Sequence, residues 1–118
     1  MTRQREGGSP VPSGYALVVR FTLRDTAAAQ QFDDLVGQTA AGIRTEPGTL
    51  VYAVHTPVDE PLVRVFYELY ADQAAFQAHE DEAHTKHFLM AREQFLERTE
   101  VTFLHEQADL SKRPGSEG

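Results

Sequence analysis

The sequence predicts an α+β domain whose elements run βαββαβ. Two observations carry this expectation. Several short stretches alternate apolar and polar residues, the spacing of a half-buried strand. Between them lie stretches with apolar residues every three or four positions, the spacing of an amphipathic helix. A third observation is the order of these stretches, in which two strands follow one another directly across a proline-containing turn. A length of 118 residues suits one domain.

The first strand is Tyr15–Leu23, with Leu17, Val19, Phe21 and Leu23 on one face and Ala16, Val18, Arg20 and Thr22 on the other. Asp25 or Thr26 caps the helix that follows, because its side-chain oxygen accepts a free backbone N–H. That helix carries Phe32, Leu35, Val36, Thr39 and Ile43 on one face. Glu46-Pro47-Gly48 then punctuates the chain, since Pro disfavours helix before it and Gly permits a turn. Strand two is Thr49–His55, rich in β-branched and aromatic residues. Thr56–Pro61 is a turn, and strand three, Leu62–Tyr70, returns as the second arm of an antiparallel hairpin. Asp72 caps a short helix over Gln73–His79. A longer helix is expected over Glu82–Arg98, with Phe88, Ala91, Phe95 and Leu96 on its apolar side. The last strand is Glu100–His105. This order is the ferredoxin-like arrangement with an antiparallel sheet. The domain spans residues 14–106, and residues 1–13 and 107–118 are expected to be flexible tails because they carry turn formers and charges without periodicity.

A ferredoxin-like sheet has helices on one face only. On strand three, Val63, Val65, Tyr67 and Leu69 make an apolar face, and Leu62, Arg64, Phe66, Glu68 and Tyr70 make a mixed one. Neither is a purely solvated surface. One face can pack on helices while the other meets a second sheet, so a homodimer is expected.

Composition narrows the functional classes. Net charge is −7, and no basic stripe or polybasic patch is present, which argues against nucleic-acid and membrane-surface partners. With no Cys, the chain has no disulfide, thiolate nucleophile or zinc–thiolate site. The polar N-terminus lacks the apolar segment of a secretory signal, and a cytoplasmic protein is expected.

Three blocks, in order, resemble the antibiotic biosynthesis monooxygenase family. They are Glu46-Pro47-Gly48-Thr49-Leu50, Phe66-Tyr67-Glu68-Leu69-Tyr70, and Ala78-His79 followed by His84 and Phe88. The resemblance covers about Tyr15–Phe103, nearly the whole core. It implies a dimeric α/β barrel, formed where two ferredoxin-like sheets meet, with a pocket between helices and sheet. Some members of that family oxidise quinols or polyketide anthrones with O2 and no cofactor. Related members cleave haem, and others are isomerases.

Oxidation without a cofactor needs a protein group that removes a proton, so that the substrate anion can donate an electron to O2. It also needs a dry, apolar pocket. His79 is the first candidate base, because imidazole titrates near neutrality. Its alternative role is a helix-end or surface histidine. Glu68 is the second candidate, and a Glu68–Arg64 structural pair is its alternative. Tyr70 offers a hydroxyl to a substrate oxygen, or else is a strand-end aromatic with its hydroxyl in water. Phe66, Arg64, His84 and Phe88 complete the expected substrate-binding set, although Phe88 at helical spacing is equally a core residue. His79, His84 and His87 form no recognised zinc spacing, because Glu80–Glu82 is expected to break the helix between them, so no metal is expected. No other cofactor is expected.

The chain departs from the family at two residue types. Haem-cleaving and polyketide-oxidising members use Asn and Trp, and this sequence contains neither. The expected activity is therefore cofactor-independent oxidation of a small aromatic quinol or polyketide-like phenol by O2, using a His- or Glu-based site. The alternatives are an isomerase or cyclase using the same pocket, or a small-molecule-binding dimer without catalysis.

Overall fold

The computed structural model describes residues 13–114. Four strands are present, β1 (Tyr15–Leu23), β2 (Thr49–His55), β3 (Val63–Tyr70) and β4 (Leu96–His105). They form one antiparallel sheet in the order β2-β3-β1-β4. Three α-helices, α1 (Thr26–Ile43), α2 (Gln73–Asp81) and α3 (Ala83–Ala91), give the βαββαβ order.

Both expected caps form. Asp25 accepts a hydrogen bond from the Ala28 N–H at 2.8 Å, and Asp72 accepts one from Ala75 N–H at 2.8 Å. Each satisfies a backbone donor that the first helical turn leaves free. At the turn into β2, a Cβ on Gly48 would lie 2.6 Å from the Cβ of Ala75, so only glycine lets this turn approach α2 so closely.

Strand register decides which face is which. Leu17 lies opposite Glu68 and Val19 opposite Phe66, so the odd residues of β1 share a face with Arg64, Phe66, Glu68 and Tyr70. That face meets the helices. Its core is an aromatic cluster in which Phe21 and Phe66 meet edge to face at 5.0 Å and Phe32 packs on both. Phe21, Phe32 and Phe66 are almost fully buried, and burying each such ring contributes about 1.5–3 kcal/mol.

Three boundaries differ from expectation. Helix α3 stops at Ala91, not Arg98; residues Arg92–Phe95 tighten into a 3-10 turn and β4 begins at Leu96. Residues 96–99 could continue a helix locally. Pairing with β1 offers them ladder hydrogen bonds instead, with a register shift at Thr22/Leu23. Phe95 stays buried, and its carbonyl accepts the Arg24 N–H at 3.1 Å. Helix α2 runs to Asp81, two residues past its expected end at His79, and β3 starts at Val63. The chain does break between α2 and α3, at the extended residue Glu82.

The N-terminal segment expected as a tail lies almost wholly outside the described residues. The C-terminal one carries a single 3-10 turn, Ala108–Leu110, and Arg113 donates to both carboxylate oxygens of Glu106 at 2.6 and 3.0 Å. Glu106 also accepts the Gly14 N–H at 2.8 Å. Residues 111–114 thereby border a groove with Val51, Tyr67 and Leu69, on the sheet face away from the helices. Among the described residues, no helix is long and apolar enough to cross a membrane.

Candidate functional site

Between the helix layer and the sheet lies a cavity of about 150 Å³. Its floor is Leu17, Val19 and Phe21 of β1. Tyr52 and Glu68 come from β2 and β3, and the roof is Phe76, His79, Thr85 and Phe88 of α2 and α3. Val101 and Phe103 of β4 also border it and are about half exposed, because no helix covers this edge of the sheet. The cavity therefore opens along β4.

His79 is 6% exposed and stands in the wall of this cavity. Its ring packs against Tyr70 at 5.1 Å and Tyr52 at 6.2 Å between centroids. Its Nδ1–H donates to Glu46 Oε1 at 2.8 Å. That bond fixes the tautomer and leaves Nε2 as the ring's acceptor. Glu46 lies just after α1, 7% exposed, and also accepts from Thr49 Oγ1 at 2.6 Å and from His84 Nε2. Burial pushes the Glu46 carboxyl up, but the hydrogen bonds from Thr49, His84 and His79 together outweigh it, and the carboxyl ends below its ordinary range.

Glu68 faces the cavity, and the hydroxyl of Tyr70 donates to it at 2.6 Å. The expected Arg64–Glu68 pair does not form. Arg64 instead donates to both oxygens of Asp33 on α1, at 2.8 and 3.0 Å, and to the carbonyls of Pro61 and Val63. Side chains two apart on a strand share a face but point parallel, whereas Asp33 on the covering helix meets the guanidinium fork directly. Left without that cation, Glu68 is governed by burial, which raises its carboxyl above the ordinary range despite the Tyr70 bond. The phenols of Tyr52 and Tyr70 are pushed up as well, first by burial and then by Glu68.

The structure thus brings together His79, Glu68, Tyr70, His84 and Phe88, and separates Arg64 from them. Phe88 is both core and cavity wall. Phe66 belongs to the aromatic core beneath the cavity. Tyr70 is fully buried, so its hydroxyl is neither in water nor in the cavity wall but held by Glu68. His84 and His79 do meet, through Glu46, despite the helix break. His87 lies apart, on an outer groove with Asp34 and Gln38. Among the described residues no cluster of three or more His, Cys, Asp or Glu has metal-binding geometry.

Four cavity or site residues escaped the sequence. Glu46 stood in plain view as turn punctuation, but its partners lie 33 and 38 residues away and leave no local signal. The inward position of Tyr52 follows from strand alternation, which could have found it. Thr85 is buried in the wall with a hydroxyl that makes no hydrogen bond among the described residues. Arg92 caps the far end, its guanidinium 5.2 Å from the Phe21 ring and 5.7 Å from that of Phe88, with exposed Glu93 as its ion-pair partner at 3.6 Å.

The family model for antibiotic biosynthesis monooxygenase matches residues 14–91 of the chain. Solved structures agree with the fold. A conserved protein of Methanosarcina mazei superposes with a TM-score of 0.77 at 17% identity, covering 82% of this chain and 96% of its own. A Mycobacterium tuberculosis protein, Rv0793, gives 0.71 at 24% identity, covering 77% and 92%. A Caulobacter crescentus protein described as a candidate antibiotic biosynthesis monooxygenase gives 0.73 at 24% identity, covering 80% and 90%. No curated protein sequence matches the chain.

Proposed function

Because the chain belongs to the antibiotic biosynthesis monooxygenase family, we propose that it is a cofactor-independent monooxygenase oxidising a small aromatic quinol or phenol with O2 in the cavity beneath α2 and α3. One observation carries this reading: a buried imidazole, fixed by a buried carboxylate, stands in the wall of an aromatic-lined cavity. His79 Nε2 takes the phenolic proton, and the Glu46 carboxylate stabilises the imidazolium that forms. The phenolate then gives an electron to O2. A hydroquinone that gains one oxygen atom to become a hydroxyquinone, with water as the other product, supplies every electron that O2 accepts.

A cavity of about 150 Å³ accommodates a single aromatic ring, so a one-ring quinol fits it better than a fused polyketide. Phe21, Phe76 and Phe88 suit a flat apolar ring. The Thr85 hydroxyl and the Arg92 guanidinium are the groups available to substrate oxygens. The Tyr70–Glu68 pair closes the inner end.

The second reading, an isomerase or cyclase, is favoured by Glu68. Its raised carboxyl supplies a proton donor in the same cavity as the base His79, and an acid and a base together move a proton within one substrate. O2 consumption by metal-stripped protein, with a panel of hydroquinones and anthrones corrected for spontaneous oxidation, separates the readings. Uptake that scales with protein and falls in His79→Ala supports the monooxygenase. Product formed under argon supports the isomerase. Ligand-dependent thermal stabilisation with no product supports a binding module.

The working unit in this proposal is a homodimer. The sheet face away from the helices presents Val18, Ala53 and Val65 between the strands and the C-terminal segment, and a second copy would cover them. Light scattering at micromolar concentration tests it, and a monomer mass would reject it.

A further inference from the structure

Glu46 carries one negative charge and serves two imidazoles. His79 holds one of its oxygens from the cavity side, and His84 holds the other from α3. His79 is 6% exposed, whereas His84 is 22% exposed. A single carboxylate thus joins a closed catalytic cavity to a ring in contact with solvent.

The fold makes specific room for this arrangement. The ring of His84 lies against Gly42, in the last turn of α1, where a Cβ would stand 2.4 Å from its Nδ1 and 2.5 Å from its Cγ. These are atoms of the ring's base, not the far end of a flexible side chain. Any residue but glycine at position 42 would push the imidazole off Glu46. Glycine in a helix interior costs about 0.5–1 kcal/mol relative to alanine, so the notch is held against helix propensity.

We infer that Glu46 balances one imidazolium shared between His79 and His84, and that His84 is the outlet for the proton His79 removes from the substrate. This rests on the reading of His79 as the base. In the resting protein His84 carries the additional proton. When the substrate O–H breaks and its proton joins His79 Nε2, two imidazoliums would face one carboxylate. His84 then loses an N–H proton to water, and the site returns to one cation on one anion. One proton enters at His79 and one leaves at His84, with no charge left in the cavity wall. Glu46 need not itself be protonated.

The other charged or titratable groups around His79 do not offer this route. Tyr52, Tyr70 and Glu68 line or lie beneath the cavity, Glu80 is on the same helix, and Arg92 is at the far end. From α1, Gly42 faces His84 with no side chain at all.

The test follows the imidazoles by NMR in full-length, histidine-labelled protein across pH, without any substrate. In His84→Gln the amide still donates to Glu46, so packing is kept, but Glu46 now serves one titrating ring. The His79 midpoint should rise by on the order of one pH unit, the size of coupling that sharing a charge produces. Gly42→Ala should shift it in the same direction by displacing His84. A His79 midpoint that stays in place in both folded variants would overturn the inference. Turnover gives a separate arm. Where a substrate is found, His84→Gln should lower kcat by about tenfold or more, and small imidazole buffers should restore it, as for a lost acid–base group. A kcat unmoved by the variant and by buffer would also overturn it. Should no substrate turn over at all, the enzymatic reading falls, while the midpoint shift still decides whether the two rings share Glu46.

Discussion

The two ends of β3 make an instructive contrast. Each carries a charged residue on the helix-facing side, Arg64 at one end and Glu68 at the other, and both are more than nine-tenths buried. Arg64 has a full set of partners: a two-pronged contact with Asp33 and two backbone carbonyls. Glu68 has one, the hydroxyl of Tyr70. A buried charge with complete partners is a structural fastener. One with incomplete partners changes its proton affinity instead, and here it does so in the wall of a cavity. Burial alone does not separate structure from chemistry; the count of partners does.

That contrast can be broken by mutation, beginning where the effect is largest. At the cavity end, His79→Ala should lower kcat/KM by about 10²- to 10⁴-fold, while circular dichroism and the thermal midpoint show a folded protein. An active variant would remove His79 from the chemistry. At the fastener end the effect should appear in stability instead. Asp33→Ala strands Arg64 and should cost about 1–2 kcal/mol in urea unfolding, less than for a wholly buried pair because Asp33 is half exposed. Its kcat/KM should stay within about twofold of the original, since Arg64 touches nothing in the cavity. A large loss of turnover in Asp33→Ala would erase the distinction between the two ends.

Smaller effects sharpen it. Asp72→Ala removes the cap of the helix that carries His79 and should cost about 1 kcal/mol. The finest test is the pH dependence of Glu68→Gln. The Glu68 carboxyl is raised in the folded protein, so between its unfolded and folded values the native state binds more protons than the unfolded one. Stability of the original protein should therefore fall as pH rises through that window, which opens near the model value of 4.5. The Gln variant lacks this loss. It should match the original at acid pH and exceed it at pH above the window, measured by urea unfolding at both. Equal stability throughout would mean that Glu68 is ordinarily solvated, and that the contrast with Arg64 is only apparent.

Much of the fold was legible in the chain. The bounds of β1 and β2 follow from alternation, and the starts of α1 and α2 from Asp25 and Asp72, because those signals lie within a few residues of what they specify. The end of α3 was not legible. Residues 92–99 read as helix by local pattern, and only the ladder with β1 converts Leu96 onward into strand. The same limit applied to the site. His79 and Glu68 announced themselves by residue type, yet the partner assigned to Glu68 was wrong, since Arg64 is nearer in sequence while Asp33 is nearer to Arg64 in space. Glu46 looked like part of a turn because nothing around it in the sequence marks two histidines on later helices.

The sequence by itself determined the α+β order, the inward faces of β1 and β3, the kinship to the antibiotic biosynthesis monooxygenase family and the histidine at the centre of the site. These depend on periodicity, capping and residue chemistry, all of which act over one or two turns of chain. Tertiary structure alone decided which charges are paired and which are left to react. It set Asp33 against Arg64, Tyr70 against Glu68, and Glu46 between His79 and His84. Pairing energy depends on distance in space and on removal from water, and the chain acquires both only when helix and sheet close over one another.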